Sequence, residues 1–319
     1  MNAIRSIAVP PLRDAWRGSA PLTALAGTMV VLLAVCVVGL VADDRTVLGQ
    51  PTWLKPAKFA LSFVVYGLTL AWLLGRLRRG WRAARAAAAV IAVVSALEIG
   101  IIALQAARGR PSHFNSATPL DEWLWRSMGG LIMVLWAGTL LITVLLWRDR
   151  GFGDRALLWS ARLGLVILLL GLLEGFLMVV PTAAQQALDE RGADTLLGAH
   201  AVGVPDGGPG LPLTGWSTTG GDLRIGHFTG MHGLQATLLF AMLAGWLVGD
   251  AARRLRLVFV FAGTYTGLVA LVTWQALRGQ PLLRPDAVTL SALAVLVAGA
   301  AAAVVLVWRR VPALTPSLG

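Results

Sequence analysis

Eight apolar stretches, each long enough to cross a bilayer, run through this chain, and its arginines collect at alternate ends of them. A hydrocarbon layer about 30 Å thick needs ~20 consecutive apolar residues in a helix. The stretches at 21–42, 57–74, 86–106, 125–147, 163–181, 227–249, 257–274 and 287–308 each approach that length. The expected fold is all-α, an integral membrane bundle of eight transmembrane helices. Composition agrees: 57% of residues are apolar and 13% charged, where soluble domains carry roughly 45–50% and about 25%.

The basic residues predict the orientation. Seventeen of the 27 Lys and Arg fall on one side: Arg5, Arg13 and Arg17 before the first span, Arg76 to Arg85 after the second, Arg148 to Arg162 after the fourth, Arg253 to Arg256 after the sixth, and Arg309 and Arg310 at the end. With four acids that side nets +13, whereas the opposite side carries ten charges of each sign. The positive-inside rule puts both termini in the cytoplasm. Spread beside spans, these charges act as retention signals and can meet anionic lipid heads. They make no single footprint for nucleic acid, which is not an expected partner. The one cysteine, Cys36, leaves no internal disulfide or multi-cysteine metal cluster. Leu33-Ala34-Val35-Cys36 resembles a lipoprotein processing site, but the apolar run continues through Ala42, longer than the core of a cleaved signal.

An internal repeat is visible. Gln105-Ala-Ala-Arg-Gly-Arg-Pro111 and Gln275-Ala-Leu-Arg-Gly-Gln-Pro281 match at five of seven positions, 170 residues apart. The same offset brings Lys58-Phe59 within one residue of His227-Phe228. Duplication of a four-span unit accounts for this, with residues 1–156 and 157–319 as halves of one membrane domain. An even number of spans makes the repeat parallel, with its pseudo-twofold axis along the membrane normal. Chance matching of Ala/Arg/Gly-rich sequence is the competing account. The one long connection, 182–226, lies on the external side. Its first part suits a short surface helix, and its middle is rich in Gly and Pro. Trp216 and the Gly-Gly-Asp turn favour an ordered cap over the outer mouth.

Ionisable residues inside a bilayer are costly and usually face a cavity or a partner. Glu98 and Glu174 stand near the middles of spans three and five. Ser95, Glu98 and Gln105 share one helix face through spacings of three and seven. Lys58, Ser62, Tyr66 and Thr69 form a polar line on span two; Lys58 either faces inward or snorkels to the outer head groups. The densest segment runs from Gly221 to Gln235. His227 and His232 point about 140° apart on a regular helix, so joint ligation of one metal is not expected, while His232 and Gln235 share a face. Gly226, Gly230 and Gly233 make a strip for close helix approach. His113, Asn115 and Asp121, with Trp216, Asp222 and Arg224, form an expected outer rim. His200, on the long loop, reads as incidental. For each mid-membrane acid, helix-to-helix hydrogen bonding without further function is the alternative. No zinc-protease, phosphate-loop, dinucleotide or nucleophile-elbow motif occurs.

Pro51-Thr-Trp-Leu-Lys-Pro-Ala-Lys-Phe-Ala-Leu-Ser62, Ser112-His-Phe-Asn115 and the segment from Trp216 to Gln235 resemble an uncharacterised family of bacterial polytopic membrane proteins. The resemblance implies a multi-pass protein of the bacterial plasma (inner) membrane and nothing about its chemistry. The architecture is also similar to haem A synthases, which pair two four-helix halves and bind haem through outer histidines. This chain lacks their paired external cysteines and a matching histidine in each half, so no ligand is carried over and haem stays an open suggestion for the cofactor. Three functions follow from the residues: an outward-facing polar site for a small ligand or cofactor, a proton-coupled small-solute transporter using Glu98 or Glu174, or a non-catalytic membrane assembly or sensory component.

Overall fold

The computed structural model describes residues 12–149, 153–181, 183–191 and 196–309. Arg5, Arg150 and Arg310, used above for orientation, lie outside the described residues. The chain is mostly helical, with seven helices long and apolar enough to cross a membrane. A short helix α1 (Leu12–Gly18) leads into α2 (Ala20–Ala42). Ser19 starts α2 as its N-cap, with its side chain accepting from the Leu22 amide and Pro21 in the first turn, where a missing N–H costs nothing. A two-stranded hairpin, β1 (Thr46–Val47) and β2 (Gln50–Pro51), follows. Its turn residues Leu48 and Gly49 both have positive φ, +50° and +70°, the twist that matches a tight hairpin. Trp53 then packs on Gly39 and donates through its indole N–H to Asp43 at 2.7 Å, fixing the angle at which α3 (Leu54–Leu74) returns.

Helix α4 (Trp81–Ala107) and α5 (Pro119–Arg148) complete the first half; α6 (Arg155–Leu173) and the single turn α7 (Gly175–Met178) open the second. The long connection that follows contains α8 (Ala183–Asp189), β3 (Ala201–Val202) and β4 (Gly221–Asp222), the two strands pairing antiparallel. Then come α9 (Arg224–Met231), α10 (Gly233–Leu247), α11 (Ala251–Leu277) and α12 (Ala287–Arg309). In the first half α2 packs on α3 and α4, and α4 on α5; in the second α6 packs on α9, α10 and α11, and α11 on α12. The halves meet where α5 touches α6 and α3 touches α10. Helix α6 is the most enclosed span, with 61% of its most apolar window buried, and α12 the least at 6%. Long apolar faces on α2 and α12 are thus left to lipid.

Several expectations need correction. The spans begin earlier than the apolar runs suggest, so Arg162 is not in a connection. It lies buried in the second turn of α6 and donates to the carbonyls of Leu146, Trp147 and Asp149. Asp149 in turn accepts from the amides of Arg78 and Arg79, tying the two basic connections together. Glu174 does not sit mid-span. It caps α6 where the helix breaks before α7, at the end of the span away from Arg155. The 227–249 stretch is not one regular helix either. It breaks at His232, and α10 alone is too short to cross a membrane. The cause is close packing. A Cβ on Gly230 would come within 2.6 Å of the Gly171 Cα, and one on Gly233 within 2.3 Å of Ile167. The Tyr265 hydroxyl donates to the Thr229 carbonyl at 2.7 Å, satisfying a backbone group next to the break that would otherwise be stranded in lipid.

Candidate functional site

The described residues 196–222 of the long connection fold as a cap that docks on both halves. On the first half, the Leu197 amide donates to the Phe114 carbonyl at 3.0 Å, and Gly207 and Gly215 lie against Gly49 and Gln50 of the hairpin. On the second, the Ala199 amide donates to the Met178 carbonyl, and Gly221 lies so close to Ala276 that a Cβ would meet its carbonyl oxygen at 1.9 Å. Inside the cap, Asp222 is fully buried. It accepts from the Ser217 amide at 2.7 Å and from the Arg224 guanidinium at 2.9 and 2.5 Å. Arg224 also donates to the Gly215 carbonyl at 2.7 Å. Trp216 stacks edge-on against Phe228.

Under this cap stands the first turn of α3. The Lys58 ammonium donates to the Thr214 carbonyl of the cap at 2.7 Å. Lys55, one turn earlier on the same face, lies 3.1 Å from His113 Nδ1. When Lys55 is an ammonium, which only donates, His113 accepts there and carries its proton on Nε2. The His113 ring rests on Trp125 at 5.3 Å, with Phe59 and Phe114 around it. Burial, together with the Lys55 charge, holds the His113 pKa well below the usual histidine range, so the ring is neutral. Neither lysine forms an ion pair with a carboxylate; the eight pairs among the described residues all use Arg or His. Glu98 lies below them, 2% exposed, with Lys55 the cation that acts on it, and its Oε2 has no hydrogen-bond partner; Ser95 on the same face is buried and likewise unpartnered.

His200 is not incidental. Its Nδ1 lies 2.7 Å from Asp206, and its ring packs on Phe114 at 5.0 Å. Asp206 also accepts from the amides of His200 and Ala201; these bonds outweigh burial and bring its pKa down to about 2. His200 itself is pulled below its ordinary value by burial, with Asp206 opposing.

The remaining expected residues separate. His232 joins the halves through Ser62, Nε2 to Oγ at 3.3 Å, with Gln235 beside it and Phe228 over the ring at 4.5 Å. His227 donates from Nδ1 to the Gly171 carbonyl at 2.6 Å. That carbonyl is in the last turn of α6, where helical partners run out. Glu174 accepts from Thr273 at 3.0 Å in the second half, beside Gly226, away from the lysines; its Oε2 is unpartnered. Asp121 and Asn115 are buried staples of the third connection rather than groups lining a mouth. Asp121 accepts from Gln105, Arg108 and Thr118 at 2.7–2.9 Å, and Asn115 bonds the Pro111 carbonyl and the Ala117 amide. Among the described residues no three His, Cys, Asp or Glu side chains converge as a metal ion requires.

Lys55 is the functional candidate that periodicity alone passes over. A signal for it exists in the sequence: Lys55 and Lys58 are the chain's only lysines beside 25 arginines, and they occupy one helical turn. The chain's four histidines lie in or just beneath the capped end of the bundle. Comparison of the chain with protein-family models, curated proteins and solved structures finds no match, so the arrangement of these side chains alone carries the functional reading.

Proposed function

We propose that this chain is a multi-pass protein of the bacterial inner membrane whose capped outer chamber binds a small ligand or cofactor bearing an anionic group. One observation carries the reading: two lysines without a carboxylate partner stand under an ordered cap, above a buried acid with a free oxygen. Ammonium groups withdrawn from water need an anion or several acceptors, and each here has one from the protein. A carboxylate or phosphate placed between Lys55 and Lys58 supplies the rest. Glu98 below offers an acceptor, or a proton, to the other end of the same molecule. The resemblance to the uncharacterised bacterial membrane family fits this reading without adding to its chemistry.

The scaffold belongs to the same proposal. Helices α9 and α10 together span roughly 34 Å at 1.5 Å per residue, which supplies the sixth of eight crossings, with both termini cytoplasmic. The duplication draws support from two details. Gln105 and Gln275 each donate to the carbonyl of the proline six residues on, Pro111 at 3.4 Å and Pro281 at 2.8 Å. Each is followed by a positive-φ glycine and by an arginine bound to an aspartate at the next helix start, Asp121 or Asp286. Ser62 and His232, which touch, are 170 residues apart, the repeat offset itself. Residues related by a twofold axis meet only when they lie on it, so the axis runs beside the chamber.

The test is ligand-induced thermal stabilisation of the purified chain by phosphate and small carboxylates, read alongside its absorption spectrum. Stabilisation that disappears in Lys55→Gln and Lys58→Gln supports the site. Indifference to every anion sinks it. The second reading, proton-coupled transport, rests on the unpartnered oxygens of Glu98 and Glu174. It requires pH-driven uptake into vesicles that Glu98→Gln abolishes.

A further inference from the structure

The geometry points to a second binding site, for the anionic headgroup of a phospholipid, at the arginine-rich end of the bundle between α1, the end of α3 and the start of α4. A cavity of about 590 Å³ opens there. Arg17, Arg76 and Arg85 line it, with Asp14 the only acid. None of the three arginines has a carboxylate within 4 Å among the described residues. Two of them are held in place by backbone carbonyls. Arg76 lies over the Trp72 ring, 3.8 Å from its centre, and donates to the Trp72 carbonyl at 3.2 Å. Arg85 donates to the carbonyls of Gly18 at 3.3 Å and Arg17 at 2.6 Å, which leaves its second terminal amino group uncommitted. Preorganised guanidinium groups of this kind bind phosphate oxygens in pairs.

The surroundings identify the phosphate's carrier. A second cavity of about 280 Å³ adjoins the first and shares Arg17 and Arg85, but its other walls include Trp16, Ala20 and Pro21. Beside it Leu12 and Trp16 of α1 are 69% and 55% exposed, and the apolar face of α2 is largely unburied. The charged cavity therefore opens onto an apolar path along α2. A free phosphate uses only the first cavity; a phospholipid fills both and lays its chains on α2. Basic pockets beside span ends hold anionic headgroups for this reason.

The full chain, reconstituted in nanodiscs of phosphatidylcholine with phosphatidylglycerol, is extracted and its retained lipid weighed by native mass spectrometry. Phosphatidylglycerol should be retained over phosphatidylcholine by about tenfold or more, and its presence should raise Tm. Combined Arg76→Gln and Arg85→Gln should erase the preference, Arg85→Lys should keep most of it, and Arg256→Gln, at the same end but outside the cavity, should leave it intact. Ala20→Trp fills the second cavity without removing a charge and should also cost lipid retention, which keeps the test decisive if the double variant fails to fold. Equal retention of both lipids, or equal loss with Arg256→Gln, overturns the site. Full stabilisation by inorganic phosphate in detergent, unaffected by Ala20→Trp, overturns the lipid and leaves a free anion.

Discussion

The two ends of this bundle handle positive charge in opposite ways. At one end the cations are arginines, set on tryptophan faces and backbone carbonyls, with cavities that open outward. At the other, the chain's two lysines stand beneath a folded cap, against a neutral histidine and a single carbonyl. The difference is chemical as well as spatial. Arginine stays charged and spreads its donors in a plane, which suits anchoring and headgroup contact; lysine is a compact ammonium that yields its proton when its surroundings demand it. A chain with 25 arginines keeps both of its lysines in one half-buried turn, and the proposed function assigns anchoring to the first kind of cation and ligand contact to the second.

The largest effect that tests this contrast is loss of the cap. Gly221→Ala places a methyl group on the Ala276 carbonyl, where neither backbone can retreat cheaply. We expect a loss of about 1–3 kcal/mol or more, and limited proteolysis should cut the 196–222 segment while the spans stay folded. Unchanged protection would mean that the cap does not depend on this contact. Next in size is Lys55→Gln combined with Lys58→Gln. Anion binding should fall roughly 10- to 100-fold, the range of one or two charge-assisted hydrogen bonds. Arg256→Gln at the other end should leave it untouched; equal losses would erase the distinction between the ends.

Much of the scaffold was legible in the sequence because bilayer thickness imposes a length that apolar runs display directly. Breaks in helices were not legible. The kink at His232 and the end of α6 at Glu174 depend on Gly230 meeting Gly171 across two helices, a contact that no local pattern encodes. The same limit misplaced Asp121, whose place in the third connection suggests an exposed rim, until the fold turns Gln105 and Arg108 onto it. His200 was obscured by its Gly/Pro-rich setting. Its order comes from Asp206, six residues on, and from Phe114 on another connection. What sequence did carry was the spacing of Ser95 and Glu98, the polar line from Lys58 and the small-residue strip at Gly226, Gly230 and Gly233. These are one-helix properties, and helix geometry preserves them.

A smaller effect separates ligand chemistry from packing at Glu98. Glu98→Gln keeps size and hydrogen-bonding capacity but cannot ionise. The variant should insert and purify normally, with ligand binding or turnover reduced about tenfold, the difference between a charge-assisted hydrogen bond and a neutral one. Equal activity would reduce Glu98 to a polar spacer within the first half, and the chamber would then end at the lysines.

The smallest expected effect is a pH dependence confined to the capped end. His113 and His200 both have folded pKa values below the ordinary 6.5 of histidine, chiefly through burial. Below that value the unfolded cap binds protons that the folded cap refuses, so acidification favours opening. The stability concerned is fully present above about pH 6.5 and declines as pH falls through the folded values of these two rings. Asp206 adds a second, lower window: its carboxyl is held at about 2 against 3.8, so its contribution persists above 3.8 and disappears only between those values. Between pH 7 and 5, then, the histidines act and Asp206 does not. Amide hydrogen exchange of the cap, corrected for the intrinsic rate, should quicken over that interval, while exchange in α4 and α6 stays constant. His113→Asn should flatten most of the response and His200→Gln a smaller part, since Asp206 already offsets the cost of charging His200. The arginine-rich end holds no histidine among its described residues and should show no such step. An equal acid response at both ends would trace the effect to the bilayer or to the bundle as a whole, and remove the histidines from the account of how the cap is held.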